Sequence, residues 1–221
     1  MVDSMNVRLY PNLSKDDSLI SDTRNGIDTA FQQTVNYFSD NGENLRYSME
    51  VDKAHPDVKK SAPFFKNNTA IAEEGFGAWL VANGRDQTGV HLLLSSDLTG
   101  GIGAGVLGGA WRNDPAAVVG SKNTGTTEFK SLCIHETYHL FLNIGIFLAN
   151  GSPNNEHKLG TVISSESGPK QTPMINGYLD TDLPSKGECS GTANSAEYTT
   201  TLSDCTLNKT LYSYRNQGRA I

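Results

Sequence analysis

Alternating apolar and polar side chains predict short β-strands along the first half of the chain. Strands are expected at residues 7–10, 45–51, 90–96 and 116–120. Pro11 ends the first of these, because proline cannot donate a hydrogen bond to a neighbouring strand. The segment 90–96 is the most apolar, and we expect it to lie at a sheet edge where it can pair with a bound peptide. His91 is expected on its less buried face, without a role in a metal site.

Apolar residues at helical spacing predict two long helices. The first is capped by Ser21 and Asp22 and stops at Asn41-Gly42. The second begins after Thr126 and Thr127, either of which can cap it, and extends through the apolar stretch around residues 129–141. Strands and helices therefore alternate, which indicates a mixed α and β fold.

The stretch 99–109 contains six glycines and is expected to be a flexible loop at a strand edge. Its glycines do not have the spacing of a dinucleotide-binding turn. No Lys-Ser or Lys-Thr pair follows them, as a phosphate-binding loop would require. The sequence therefore gives no reason to expect nucleotide binding.

The second helix carries the pattern HExxH, in which His135 and His139 flank Glu136. Residues four apart lie on the same face of a helix, so both imidazoles can bind one metal ion. Glu136 is placed to activate a water molecule and is not expected to bind the metal. This pattern predicts one catalytic zinc ion. It makes no prediction about a structural calcium ion.

A catalytic zinc commonly takes three protein ligands and keeps one position open for water. Three residues downstream of the helix are candidates for the third ligand: His157, Glu156 and Glu166. We favour His157, because imidazole is the commonest nitrogen ligand and the turn-rich span 150–155 can return the chain to the helix.

Composition and charge limit the classes of partner. The 221 residues carry a net charge of -6 with no cluster of Lys and Arg, which argues against nucleic-acid binding. No apolar run reaches the roughly 18 residues needed to span a bilayer. We expect a monomer with a single catalytic domain over residues 1–221, divided into an upper lobe of about 1–145 and a lower lobe of about 146–221.

Glycosylation sequons and cysteines favour a secreted protein, although the first residues lack a signal peptide and a removed leader has to be assumed. Four asparagines begin Asn-x-Ser/Thr sequons: Asn12, Asn67, Asn150 and Asn208. Cys189 and Cys205 lie in a tail rich in Gly, Ser and Thr, where a disulfide would stabilise a segment with few apolar residues. Cys133 is expected to be a buried free thiol.

The order of elements and the segments 156–160 and 172–178 resemble the metzincin clan of zinc endopeptidases. The resemblance covers roughly residues 7–178. It implies an α+β fold with a twisted mixed sheet, an antiparallel edge strand, an active-site helix and a loop-rich C-terminal lobe. It also implies that Met174 belongs to a methionine turn beneath the metal and that Tyr178 assists catalysis, with a core or rim tyrosine as the alternative.

The chain departs from that clan just after the HExxH helix. Metzincins place a glycine and the third histidine where this chain has Leu142 and Gly145. We therefore expect the helix to continue further and a longer loop to carry His157. The predicted function is a secreted zinc endopeptidase that cleaves extended protein or peptide substrates. The alternatives are a non-catalytic binding or adhesion module on a zinc-peptidase scaffold, and a zinc amidase acting on a non-peptide substrate.

Overall fold

A computed structural model describes residues 4–12, 17–53, 76–96, 99–104, 109–111, 114–142, 159–174 and 197–216. The strands in these ranges are β1 (Ser4–Asn12), β2 (Arg46–Val51), β3 (Val90–Ser95), β4 (Thr99–Ala104), β5 (Ala116–Ser121), β6 (Val162–Ser165), β7 (Gly168–Gln171) and β8 (Glu197–Tyr198). The α-helices are α1 (Asp17–Asp40), α2 (Phe76–Ala82), α3 (Thr126–Phe141) and α4 (Asp204–Arg215). Together they form a mixed α/β protein.

The main sheet has five strands in the order β2-β1-β3-β5-β4. The first four are parallel to one another, and β4 is antiparallel to β5. The expected antiparallel edge strand is therefore present, but it is not the segment 90–96. β3 lies in the centre of the sheet, and all of its residues are buried because it is apolar on both faces.

The edge strand is instead the first part of the glycine-rich stretch. Residues Thr99–Ala104 pair with Ser121 to Ala116 of β5, so the prediction of a flexible loop is wrong for this part. Glycine has low strand propensity, which is why the pattern of side chains did not predict a strand here. Pairing with the buried strand β5 therefore stabilises β4 despite its low strand propensity.

Three helices cover one face of this sheet and enclose the main core. β1 points Met5, Val7 and Leu9 toward them, and these side chains are at most 1% exposed. The prediction that Pro11 ends this strand is wrong, because β1 continues to Asn12 and remains paired with β3 there. α1 begins at Asp17, one turn before the predicted cap at Ser21. Gly26 lets α1 approach α3 closely, because a Cβ added there would lie 3.3 Å from the Cβ of Lys130.

A hydroxyl pair deep in this core joins α1 to α3, the helix that carries the HExxH pattern. The hydroxyls of Thr34 and Tyr138 are 2.6 Å apart, and that of Tyr138 also donates to the carbonyl of Ala30 at 3.1 Å. Burial raises the pKa of Tyr138, so its phenol stays neutral at physiological pH. The two helices therefore hold a fixed position relative to each other near the histidine pair.

The opposite face of the sheet carries a smaller cluster that includes His91, covered by α2. The prediction that His91 occupies a less buried face is wrong, since its side chain is fully buried. Its Nε2 donates to the Gln87 carbonyl at 2.7 Å, and its Nδ1 accepts from the Tyr10 hydroxyl at 3.0 Å. Burial also raises the pKa of Tyr10 to about 12. His91 is thus a hydrogen-bonded core residue.

Acid is expected to destabilise the fold through His91. Burial lowers its pKa below the ordinary 6.5, so the unfolded chain takes up a proton at a pH where the folded chain does not. Stability is therefore complete above the ordinary pKa and falls as pH drops toward the folded value, by at most about 1.4 kcal/mol per pH unit. Urea unfolding at about pH 7.5 and about pH 5.5 measures this loss for the wild type and for His91→Gln.

His91→Gln cannot take up a proton, so the difference between the two proteins isolates this residue from the other histidines. The variant should be less stable at neutral pH, because it disturbs a buried hydrogen-bonded pair. Its stability should change less between the two pH values than that of the wild type. Equal changes in both proteins would contradict the prediction.

The C-terminal region adds a second sheet, β6-β7-β8, and the helix α4. α4 contacts α1 and α3, and it buries Leu207, Leu211 and Tyr214 in the main core. It is therefore packed against the domain. The division into two lobes and the pairing of Cys189 with Cys205 stay predictions, since Cys189 lies outside the described residues. Among the helices of the described ranges, none has the length and apolar character that a membrane crossing requires.

Candidate metal centre

The HExxH helix α3 is buried along its C-terminal half, from Cys133 to Phe141. It lies between the sheet and α1, which explains why even its polar residues are removed from water. Its N-cap is Gly125 in extended conformation, without a side-chain hydrogen bond, so neither Thr126 nor Thr127 is the cap. Glu128 in the first turn matches the positive end of the helix dipole, as predicted.

The helix ends two residues after His139, and the prediction that it continues further is wrong. Leu142 has φ -84° and ψ 124°, and its N–H donates to the Tyr138 carbonyl at 2.9 Å. Its side chain is 1% exposed, because the chain turns here into the apolar core. The indole Nε1 of Trp111 donates to the Phe141 carbonyl at 2.8 Å, which satisfies a buried carbonyl that the helix leaves without a partner.

The Nε2 nitrogens of His135 and His139 point toward each other. Their Nε2 atoms are 2.7 Å apart, and the rings are nearly perpendicular, with centroids 4.3 Å apart. The residues are 4% and 8% exposed, respectively. Two buried nitrogens at this distance can share either a proton or a metal ion.

The tautomer of His135 is set by a carbonyl on the other side of its ring. Its Nδ1 lies 2.6 Å from the carbonyl oxygen of Pro173. A carbonyl only accepts, so Nδ1 carries the hydrogen and donates it. In a neutral imidazole the lone pair is then on Nε2, the atom that faces His139. Histidines that bind metals commonly have this arrangement, with the outer nitrogen donating to a carbonyl or carboxylate.

This donor set fits a small tetrahedral ion. Zinc bound at about 2.0–2.1 Å from each nitrogen would hold them about 3.3 Å apart, so the pair has to open by about 0.6 Å. Small side-chain rotations supply such a displacement. The oriented lone pair on His135 and the facing nitrogen of His139 are the features that make the pair suitable for a metal.

Glu136 is 6% exposed and lies next to His135 on the same helix. Its charge affects the neighbouring Cys133, because burial and then the Glu136 carboxylate raise the pKa of that thiol well above its ordinary value. Cys133 is free and fully buried, as predicted. It therefore stays a neutral, unreactive thiol, whereas Glu136 is a buried carboxylate beside the histidines.

The third ligand is not found among the described residues. His157, Glu156 and Tyr178 all lie outside them, so these predictions stay open. Glu166 is described, and it occupies the exposed turn between β6 and β7, at the far end of that hairpin from Pro173. No group of three His, Cys, Asp or Glu side chains in the described ranges could hold a metal. Glu166 is therefore not brought to the histidine pair.

Met174 follows the carbonyl that orients His135. Its side chain is fully buried in the main core, and its own carbonyl accepts from the Gly160 N–H at 2.9 Å. The sequence predicts a role for Met174 at this turn but none for Pro173. No side-chain pattern could have indicated the role of Pro173, because the group involved is a backbone carbonyl brought in by tertiary folding.

The edge strand β4 contacts the HExxH helix α3 and pairs with β5 on one side. No other strand in the described ranges pairs with its second side. A strand with one unpaired side presents backbone N–H and C=O groups that can bind another extended chain.

Of three comparisons with known proteins, only the search of solved structures found a match. No protein-family model and no curated protein matches the chain. Among solved structures, it is similar to metalloproteinase-II from Bacteroides fragilis, with 15% sequence identity and a TM-score of 0.37. The match covers 63% of this chain and 42% of that protein, so the chain spans less than half of the neighbour's length.

Proposed function

We propose that this protein is a zinc-dependent endopeptidase in which His135 and His139 bind the metal and Glu136 is the general base. One observation carries the proposal. The Nε2 atoms of the two histidines converge to 2.7 Å, while the Pro173 carbonyl holds His135 in the tautomer whose Nε2 lone pair faces His139. A buried pair that served only packing would not need a carboxylate such as Glu136 beside it.

His157 is the proposed third ligand, with Glu156 as the alternative. Two imidazoles and one further nitrogen or oxygen ligand are a donor set that zinc commonly takes in hydrolases. Zinc bound there would act as a Lewis acid and lower the pKa of a bound water to about 7.

The protein's own residues then transfer the protons and stabilise the charge that develops on the substrate. Glu136 accepts the proton of the attacking water and transfers it to the nitrogen of the leaving amine, so one carboxylate serves first as base and then as acid. Its burial keeps bulk water from competing for that proton. Tyr178 is proposed to stabilise the charge that develops on the carbonyl oxygen of the scissile bond.

We propose that the substrate binds in extended form along the unpaired side of β4. This strand contacts the helix that carries the histidines, so a peptide paired with it would pass near them. Main-chain hydrogen bonds would give affinity without regard to sequence, and side-chain pockets would give specificity. This role replaces the one predicted for the segment 90–96, which lies in the middle of the sheet.

We also propose that the protein is secreted and that Cys189 and Cys205 form a disulfide. Cys205 lies in the first turn of α4 and is partly buried against the main core. A bond from this position would attach the Gly- and Ser-rich tail to a packed helix.

Removal of the metal is expected to abolish hydrolysis of an unfolded protein such as casein. Phenanthroline should remove the zinc, and adding Zn²⁺ back should restore activity because the ligand helix is packed on both sides. Mg²⁺ and Ca²⁺ are the controls and should not restore it, since they prefer oxygen ligands. The measurement is the release of peptides over time.

Two outcomes would contradict the proposal. Hydrolysis that continues in the presence of the chelator would exclude a metal mechanism. A zinc-loaded protein that cleaves neither casein nor a mixture of unfolded peptides would favour the alternatives, a binding module or an amidase for non-peptide substrates.

A further inference from the structure

The N-terminus of α4 holds the base of the β6–β7 hairpin through two hydroxyls. The Ser203 hydroxyl donates to the Leu159 carbonyl, and the Thr206 hydroxyl lies 3.1 Å from the same oxygen. The two hydroxyl oxygens are 2.9 Å apart. Ser203 is 3% exposed and Thr206 is fully buried, so water cannot replace either bond when a hydroxyl is removed.

The residues that follow Leu159 transmit this contact to the segment that contains Pro173, whose carbonyl accepts from His135. The Gly160 N–H donates to the Met174 carbonyl at 2.9 Å. Next to it, the Thr172 N–H donates to the Thr161 carbonyl at 3.0 Å, and the Thr161 N–H donates to the Thr172 hydroxyl at 2.8 Å. Residues 159–161 and 172–174 therefore extend the hairpin to its base, where Pro173 accepts from His135.

A second contact fixes the start of α4 itself. The Leu202 N–H donates to the side-chain oxygen of Gln33 on α1 at 2.9 Å. α1 in turn contacts α3. The hydroxyls of Ser203 and Thr206 are thus attached to the same helical layer that carries the histidine pair, and they hold the hairpin against that layer.

We propose that Ser203 and Thr206 are positioning residues for the metal centre, which act by holding the Leu159 carbonyl so that Pro173 orients His135. The inference rests on the proposed function, because it assigns these hydroxyls a role in metal affinity. A shift of the hairpin by a fraction of an ångström would lengthen the bond from Nδ1 of His135. Partners that orient a metal ligand in this way typically contribute about 10–100-fold to metal affinity.

The effect of the two hydroxyls on the hairpin can be measured separately from the effect of helix capping. Ser203 is also the N-cap of α4, because its side-chain oxygen accepts from the Thr206 N–H at 3.1 Å. Thr206→Val removes one hydroxyl, keeps the shape of the side chain and leaves that cap intact. Ser203→Ala removes both the cap and the donor to Leu159, whereas Ser203→Thr keeps both.

Thr210→Val is the matched control on the same helix. Thr210 is fully buried, and its hydroxyl donates to the Thr206 carbonyl at 2.7 Å within the helix. Its hydroxyl bonds within α4 and, among the described contacts, not to Leu159, so its loss disturbs α4 to a similar degree without releasing the hairpin. Any loss of zinc affinity beyond that of this control measures the contact with Leu159.

The experiment uses the full chain, with zinc affinity measured by competition with a chelator and the His135 Nδ1–H followed by NMR in the metal-free protein. Thr206→Val should weaken zinc binding about tenfold and Ser203→Ala more, with a shifted or exchange-broadened Nδ1–H signal. Ser203→Thr and Thr210→Val should stay within about twofold of the wild type in affinity.

Wild-type zinc affinity and an unchanged Nδ1–H signal in Thr206→Val would overturn the inference, even if the variant melts at a lower temperature. This holds whether or not Ser203→Ala folds, because Thr206→Val keeps the cap. If the wild type binds no zinc, the proposed function fails. The Nδ1–H signal then still decides whether the hydroxyls position His135.

Discussion

Replacing Glu136 with Gln is expected to lower kcat for peptide hydrolysis by about 10²–10⁴-fold while the zinc content stays unchanged. Gln has nearly the shape of Glu but cannot accept the proton of the attacking water. Glu136 is 6% exposed, so bulk solvent offers no ready substitute for its carboxylate. Because it does not bind the metal in this mechanism, its neutralisation leaves the two imidazoles in place. The measurement pairs casein hydrolysis with metal analysis of the same sample.

Glu128→Gln provides a control on the same helix. Glu128 lies in the first turn of α3, about two turns before the histidine pair, and its carboxylate accepts from the Tyr198 phenol. Burial and this hydrogen bond raise the pKa of Tyr198, which shows that Glu128 has a local structural partner. Its variant should keep most of the activity. Full activity in Glu136→Gln, or a loss of zinc from it, would remove Glu136 from its assigned role.

Substitution of either histidine of the pair is expected to abolish zinc binding at neutral pH. His135→Ala and His139→Ala each remove one of two converging Nε2 atoms. Loss of a direct ligand should exceed the roughly 10–100-fold effect of a residue that only orients one. Metal analysis after dialysis against zinc measures the effect, and Glu166→Gln is the control, because that residue lies in an exposed turn away from the pair.

The two alanine variants should differ in the stability of the metal-free protein. His135→Ala leaves the buried Pro173 carbonyl without the donor it has at 2.6 Å, which costs about 1–3 kcal/mol. His139→Ala removes the ring that faces His135 and leaves the hydrogen bond from His135 to the Pro173 carbonyl in place, so it avoids this cost. Urea unfolding of the metal-free proteins separates these effects. Zinc binding by either variant at wild-type affinity would show that the pair is not the metal site.

Local patterns in the sequence predicted the parts of the site that belong to one helix. The four-residue spacing of His135 and His139 fixes their common face wherever a helix forms, and the apolar residues around them predict that the helix is buried. Their convergence therefore needed no knowledge of the rest of the fold. The same reasoning gave a free buried thiol at Cys133, which the structure confirms.

Features that depend on tertiary pairing were not predictable in this way. The end of α3 at Phe141 is set by the Trp111 indole and by the burial of Leu142, and neither gives a local stop signal. β4 forms because it pairs with β5, against the low strand propensity of its glycines. β3 was expected at an edge, yet its apolar residues on both faces suit a central strand.

The remaining features that the sequence did not predict are contacts made by backbone carbonyls. The Pro173 carbonyl orients His135, and the Leu159 carbonyl is held by Ser203 and Thr206. Every residue has a carbonyl, so sequence gives no sign of which one will meet a histidine or a hydroxyl. The helix pattern thus predicted which side chains form the centre, and only the fold reveals what holds them in place.

The coordination of zinc in the wild-type protein tests the central claim most directly. X-ray absorption at the zinc edge, with the protein at neutral pH, reports the number and kind of ligands. We predict one zinc per chain with at least two imidazole nitrogens at about 2.0–2.1 Å, a signal that His139→Ala loses. A protein that binds no zinc at neutral pH, or binds it equally well in His139→Ala, would contradict the assignment of His135 and His139 as a metal centre.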